Sequence, residues 1–422
     1  MTHFLLNMVN MNCSTECNIN KDRDPDQAPS FCKKSTAWLG KAGLYAVIGG
    51  CFSTALSTSV MGGFGFLIVL LWILSGRIKQ LPELVKQNGP AAFAMLLGLL
   101  LLIAMFYSPA SLDDALDGLK KYRELFFIPA VMSLLVTCNN RERQWAVSAF
   151  FIGCIISLIA SYAMFLGFVP VPHYGYSLTY HITHSFFMAV LAFWTLHQVA
   201  DNKKYRLPYI VLLLAVIGNI VYVTPGRTGM LTLVLLCVLF LGQRFSRKQF
   251  FIGFGVFLLV VLAAVISSKN VQNRVQDAYS DITTYEQGSS RSSLGQRFDW
   301  WYNCVRLIGQ KPILGHGTGS FVLEHEKLIA GTGTKPTDNP HNEYLFLLVQ
   351  TGGVGLLLFI ALLVTAWRWG NKLLPNDKWL LQGVVLSMAA GCLMNSFLFD
   401  SHQGHYFAFL VGILAAPSPE NF

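Results

Sequence analysis

Residues 291–321 read RSSLGQRFDWWYNCVRLIGQKPILGHGTGSF, and residues 338–359 read DNPHNEYLFLLVQTGGVGLLLF. The first stretch carries cations, adjacent tryptophans and a glycine-rich turn. The second passes within a few residues from polar, turn-forming chain into an apolar run. A water-facing region therefore leads directly into a helix of bilayer-crossing composition. Arg297 and His341, with ionic or proton-transfer capacity, stand there among apolar, aromatic and turn-forming neighbours. A site at this junction would lie at a membrane surface.

The remainder of the chain extends that reading. Of its 422 residues 53% are apolar and 13% charged, with a mean hydropathy of +0.48, whereas soluble domains carry about 25% charged residues. The expected fold class is an all-α polytopic membrane protein. Apolar runs of bilayer-crossing length recur near 37–56, 59–75, 90–107, 122–137, 145–168, 180–200, 207–223, 228–242, 248–268, 341–367, 379–399 and 402–417. Residues 1–35 read as a disordered cytoplasmic tail without a signal peptide and 36–268 as transmembrane helices 1–9. A large outward loop at 269–340 contains an amphipathic helix, and helices 10–12 follow in 341–422.

The net charge of +9 raises nucleic acid as a partner, but the distribution of cations follows the membrane instead. With a cytoplasmic N-terminus, 19 of the 31 Lys and Arg residues fall in the tail and the even-numbered loops. The short opposite loops hold only Lys120, Lys121, Arg123 and Arg227. The positive-inside rule then places both termini in the cytoplasm and 269–340 outside.

The nine cysteines are scattered and imply no disulfide framework, and Cys13 and Cys17 lack a second pair at zinc spacing. The DRDPD run at 22–26 has the Asp-x-Asp spacing of metal-dependent glycosyltransferases, yet it lies in the tail on the wrong side and reads as a solvated linker. Residues 108–127, SPASLDDALDGLKKYRELFF, read as an interfacial helix with paired charges, and Arg123 opens a span on the cation-poor face. His181 and His184 have the spacing of a metal pair but no evident third ligand, which favours aromatic packing. Arg227 stands alone in the tight turn VTPGRTGM, a costly place for a charge and so a candidate functional group.

In the long loop, residues 291–309 suggest an amphipathic helix with Leu294, Phe298, Trp301 and Val305 on its apolar face. GHGTGS at 315–320 lacks the Lys-Ser/Thr of a P-loop and reads as a flexible connector. Asn339-Pro340 suggests a helix start, which would put His341 in the first turn, where the positive helix end favours neutral imidazole, with Glu343 opposing.

The arrangement Arg297-x-x-x-Trp301, Pro312-Ile-Leu-Gly315-x-Gly317-x-Gly319-Ser-Phe321, His341-Asn342-x-Tyr344-Leu and Thr351-Gly-Gly-x-Gly355, with Pro225-Gly-Arg227-x-Gly229, resembles the O-antigen ligase and polymerase superfamily. Twelve spans with one large outward loop between helices 9 and 10 resemble its ligase branch. The resemblance implies a GT-C-like architecture and a metal-independent, inverting glycosyltransferase without a cofactor, in the inner membrane of a Gram-negative bacterium. Its donor would be a glycan on undecaprenyl pyrophosphate and its acceptor the lipid A core oligosaccharide, joined at the periplasmic face in lipopolysaccharide biosynthesis. By matching position it implies that His341 is catalytic and that Arg227 and Arg297 bind pyrophosphate. Arg123 and Arg291 match more loosely, and Asp400 and Tyr344 are further possible site residues. O-antigen polymerases and protein O-oligosaccharyltransferases share this residue logic with other acceptors. A transporter is the alternative from another class, but its ionisable groups should lie near the bilayer midplane.

Overall fold

The computed structural model describes residues 31–173, 175–224, 226–285 and 292–417, with side chains from residue 38. Cys13, Cys17, the DRDPD run and Arg291 lie outside the described residues. Among the described residues the fold is helical, without strands.

A helix occupies each of the twelve places where the apolar runs predict one. The first nine are α1 (Phe31–Ser53), α2 (Thr58–Leu74), α4 (Gly89–Ala104), α6 (Glu124–Leu135), α7 (Asn140–Phe165), α8 (His181–Asp201), α9 (Arg206–Gly218), α10 (Arg227–Arg244) and α11 (Arg247–Ser267). The last three are α15 (Glu343–Trp369), α16 (Pro375–Met394) and α17 (Ser401–Leu414). Between them lie α3 (Leu81–Gln87), α5 (Leu112–Lys120), α12 (Lys269–Thr283), α13 (Ser293–Gln310) and α14 (Phe321–Ile329). Among the described residues six helices are long and apolar enough by themselves to cross a membrane, or seven if the bent pair α2 and α3 forms one span. The others are short (α6, α17) or carry polar side chains inside the bundle, as α8 does at His184 and His197 and α16 at Gln382. A helix surrounded by protein need not be apolar all round. The chain is a multi-pass membrane protein.

Helix α8 packs on α9 and α10, α10 on α16, and α15 on α4 and α16, so the start of α10 and the end of α16 meet at one end of the bundle. His184 faces inward, bonded to Ser157 at 3.1 Å and Asn219 at 3.0 Å, so polar bonds inside the bundle hold it where aromatic packing was expected. Helix α5 is an exposed helix with an Asp117–Lys120 pair at 2.7 Å.

The glycine-rich turn is the main departure from expectation. It is a docked segment whose backbone N–H groups are already used. His316 N donates to Val349 O, Gly317 N to Gln350 O, Thr318 N to Ala104 O and Gly319 N to the Gln350 side chain, at 2.8–3.2 Å. A phosphate would have to displace these bonds, so the turn is neither a cradle nor a flexible connector.

Its dock is a kink in α15. Gly352 sits at φ 63, ψ −162 inside the helix, and this opens the helical ladder so that Gly353 N donates to Pro312 O at 2.8 Å and Val354 N to Ile313 O at 3.3 Å. The Pro312–Gly315 and Thr351–Gly355 motifs are thus two halves of one interlock. A Cβ at Gly352 would meet the Ile313 carbonyl oxygen at 2.2 Å, whereas at Gly353 the nearest atom is 3.5 Å away. Gly352→Ala is expected to destabilise by on the order of 2–3 kcal/mol or more, while Gly353→Ala stays near wild type. Thermal unfolding of the two purified variants checks this, and equal melting temperatures would contradict the interlock.

Candidate functional site

The site is assembled from four segments. The amphipathic helix α13 supplies Arg297, Trp300 and Trp301. Its buried side is Trp300, Cys304 and Leu307, not the expected 294/298/301/305 face, of which Val305 is 59% exposed. Helix α13 has apolar groups on both sides, and the side that packs is set by what the tryptophans grip. Trp300 Nε1 donates to Lys335 O at 2.8 Å and Trp301 Nε1 to Pro340 O at 2.9 Å. The indoles therefore clamp the 335–341 segment onto α13, with the His341 ring 5.5 Å from that of Trp300. The Arg297-x-x-x-Trp301 spacing places cation and clamp one helical turn apart on neighbouring surface.

His341 lies outside helix α15. The N-cap is Asn342, whose side chain accepts from Leu345 N at 3.1 Å. Asn339, the expected cap, instead accepts from His341 N at 2.8 Å and from the Ser396 hydroxyl at 2.7 Å. His341 has φ 54, the left-handed region that a non-glycine residue adopts at a cost of about 1–3 kcal/mol. The imidazole is shifted from 6.5 to about 4, first by burial and then by the Arg297 charge, with Asp338 and an Asn395 hydrogen bond opposing. Neutrality was expected from the helix terminus; burial and a neighbouring guanidinium produce it instead. Glu343 points elsewhere, accepting from Tyr122 OH at 3.0 Å, Leu398 N at 2.9 Å and Phe399 N at 3.1 Å.

Arg297 donates through Nη1 to Met394 O at 2.8 Å and through Nη2 to Asn395 Oδ1 at 3.3 Å, both at the end of α16. These partners are neutral, and among the described residues no carboxylate ion-pairs with it. Burial lowers its pKa from the usual guanidinium value, and the Arg227 charge lowers it further, so the two arginines act on each other. Arg227 begins α10 and reaches Asp281 of α12 at 3.4 Å, with its Nε buried and unbonded. Gly229 permits this placement: a Cβ there would lie 2.6 Å from the Ser185 backbone, so only glycine lets α10 start so close to α8.

Arg227, Arg297 and His341 thus come together. Arg123 stands apart from that set, bonded to Lys120 O at 2.9 Å and 3.4 Å from Glu124. Tyr344 braces α15 on α16 through Ala389 O at 2.9 Å. Asp400 is pushed up to about 7 by burial, with Lys121 opposing and Asp338 adding to the rise. Asn395 and Glu343 carry much of the local bonding; sequence reading passed over Asn395 and took Glu343 only as a charge beside His341. The available signal was a polar residue at the end of an apolar helix on the cation-poor face, the same signal that singled out Arg227. Among the described residues no three His, Cys, Asp or Glu side chains are grouped to hold a metal.

A family described as O-antigen ligase matches residues 209–360, which include Arg227, Arg297 and His341. An uncharacterized protein of Haemophilus influenzae is 30% identical over 174 residues, 39% of this chain and 44% of its own length. An O-antigen ligase of Pseudomonas aeruginosa is 24% identical over 294 residues, 67% of this chain and 65% of its own. The match spans less than two thirds of either relative's length. The stretch similar to the O-antigen ligase family, residues 209–360, is thus the one that holds both arginines and the histidine.

Proposed function

We propose that this protein is an O-antigen ligase, a glycosyltransferase that moves a polysaccharide from undecaprenyl pyrophosphate to the lipid A core oligosaccharide. The observation that carries the reading is a half-buried Arg297 whose hydrogen-bond partners are neutral, with Arg227 and a neutral imidazole beside it. Such a site attracts a compact polyanion. The O-antigen ligase domain match supports the same choice.

The reaction follows from the placement. An acceptor hydroxyl attacks the anomeric carbon, the bond from that carbon to the pyrophosphate oxygen breaks, and the configuration inverts. Charge grows on the leaving oxygen, where planar guanidinium donors stabilise it in bidentate fashion. His341 takes the hydroxyl proton. Its low basicity in the free protein is partly the work of Arg297. Pyrophosphate seated on the arginines offsets that charge, so the imidazole becomes a better base once the donor is bound. The arginines supply the role a divalent cation would otherwise fill, so the reading is of a metal-independent enzyme. All twelve helices at the expected positions cross the inner membrane in this reading, with both termini cytoplasmic and the site on the periplasmic face.

Disruption of the gene in its host, followed by gel analysis of lipopolysaccharide, tests the reading. A ligase loss leaves bare core with lipid-linked polymer accumulating. Core carrying a single repeat would instead identify a polymerase, and an unchanged ladder would remove the protein from this reaction.

A further inference from the structure

Helix α10 carries an arginine at each end, and the two are held differently. Arg244 at the far end is locked: its guanidinium lies 4.0 Å from the Trp379 ring, its Nε donates to His197 Nδ1 at 3.1 Å and its Nη2 pairs with Asp201. Arg227 at the site end is held by a single oxygen. Its Nη1 and Nη2 both face Asp281 Oδ2, at 3.4 and 3.5 Å, and its Nε is buried without a partner among the described residues. A bidentate guanidinium–carboxylate pair uses two oxygens at about 2.7–2.9 Å. The Arg227–Asp281 pair is therefore loose, with donor capacity left over.

The acid is also poorly served by its own helix. Asp281 stands in the last turn of α12, where the free carbonyl ends disfavour a negative charge. Among the described residues no hydrogen bond or ion pair reaches it except those from Arg227. Its backbone is nonetheless fixed on both sides. Ser268 Oγ donates to Val221 O at 2.9 Å and Asn270 Nδ2 to Tyr222 O at 3.0 Å at the start of α12, and just past its end Tyr285 OH donates to Asp299 of α13 at 2.9 Å. Asp281 thus stays beside Arg227 whatever else binds there. Arg227 is tied to Arg297 in turn, because Thr228 Oγ1 accepts from Asn395 Nδ2 at 2.9 Å and Asn395 Oδ1 accepts from Arg297 Nη2 at 3.3 Å. The carboxylate stands at the edge of the arginine pair.

We propose that Asp281 is a positioning residue of the donor site: a built-in anion that holds Arg227 in the free protein, yields it to the donor's pyrophosphate and, remaining beside it, helps to expel the pyrophosphate product. The inference rests on the reading of Arg227 as a pyrophosphate ligand. Pyrophosphate presents several oxygens to the guanidinium fork and outcompetes a carboxylate that presents one. The need for expulsion follows from the reaction. When the bond to the anomeric carbon breaks, the leaving oxygen keeps the electron pair, so the product is more negative than the donor. Arginines alone would hold that product more tightly than the donor, and its release would limit turnover. A fixed acid beside Arg227 opposes this, and opposes it most for the more highly charged species.

Equilibrium binding of undecaprenyl pyrophosphate to the full-length protein in detergent micelles is the test. Asp281→Asn keeps the shape and removes the charge, and it is expected to bind this product roughly 5–30-fold more tightly than wild type. Its steady-state turnover should fall relative to its single-turnover transfer, because release becomes the slow step. Asp281→Glu keeps the charge and should bind within about threefold of wild type. In an Arg227→Ala background Asp281→Asn should change binding little, since its effect passes through that arginine. Unchanged or weaker binding in Asp281→Asn overturns the proposal and makes the pair a strut for α12, and so does a gain that persists undiminished without Arg227. Wild type that binds undecaprenyl pyrophosphate while Asp281→Asn binds it no better sinks the proposal alone; wild type that does not bind it sinks the functional reading as well.

Discussion

Arg297→Lys is expected to insert normally and to transfer glycan about 10²–10³-fold more slowly than wild type, the loss found when one transition-state anion donor is removed, about 2.7–4 kcal/mol. Lysine keeps the positive charge, so a purely coulombic role would leave most of the activity. The structure argues for geometry instead. Arg297 spends its Nη1 and Nη2 bonds on Met394 O and Asn395 Oδ1, and this fixes the plane of the fork beside Arg227. A lysine ammonium on its flexible stem reproduces one point of that pattern and loses the planar edge. Single-turnover rates with saturating donor and acceptor are the measurement. A lysine variant within about threefold of wild type, on the scale of the expected loss, would reduce the guanidinium to a point charge.

His341→Ala is expected to slow transfer by roughly 10²–10⁴-fold, the range for removal of a general base. The pH dependence carries the sharper signature. Burial and Arg297 hold the imidazole at about 4 instead of 6.5 in the free protein, so its neutral, proton-accepting form persists at any pH well above 4 and is lost only as the pH falls through that value. The acid limb of kcat/KM reports the free enzyme and should lie near pH 4. The acid limb of kcat reports the loaded enzyme and should lie higher, because bound pyrophosphate cancels part of the arginine field. Limbs that coincide near 6.5 would mean that neither burial nor Arg297 acts on the catalytic group.

The positions of the twelve helices were legible because apolar runs of bilayer length are a local property of the chain. The pairing of Arg297 with His341 was legible for a related reason: both stand where polar chain abuts apolar helix. What escaped depended on partners far along the sequence. Two asparagines three residues apart, Asn339 and Asn342, each fit a helix cap, and only the fold sends Asn339 across to Ser396 and leaves Asn342 to cap α15. The turn at 315–320 looked mobile from its glycines, yet its backbone bonds go to Ala104, Val349 and Gln350. The buried face of α13 was misassigned because Trp300 and Trp301 both pack through indole bonds to the histidine segment, which no periodicity reveals. Asn395 gave no stronger local signal than any polar residue at a helix end.

The central claim is that the arginines hold the donor's pyrophosphate while His341 acts on the acceptor's proton. Equilibrium binding of a polyprenyl pyrophosphate to purified wild type, Arg227→Ala, Arg297→Ala and His341→Ala tests it most directly. Binding should be weakened in both arginine variants and retained in His341→Ala. If His341→Ala loses binding as severely as the arginine variants, the histidine is a pyrophosphate ligand and the division of labour proposed for this site is wrong.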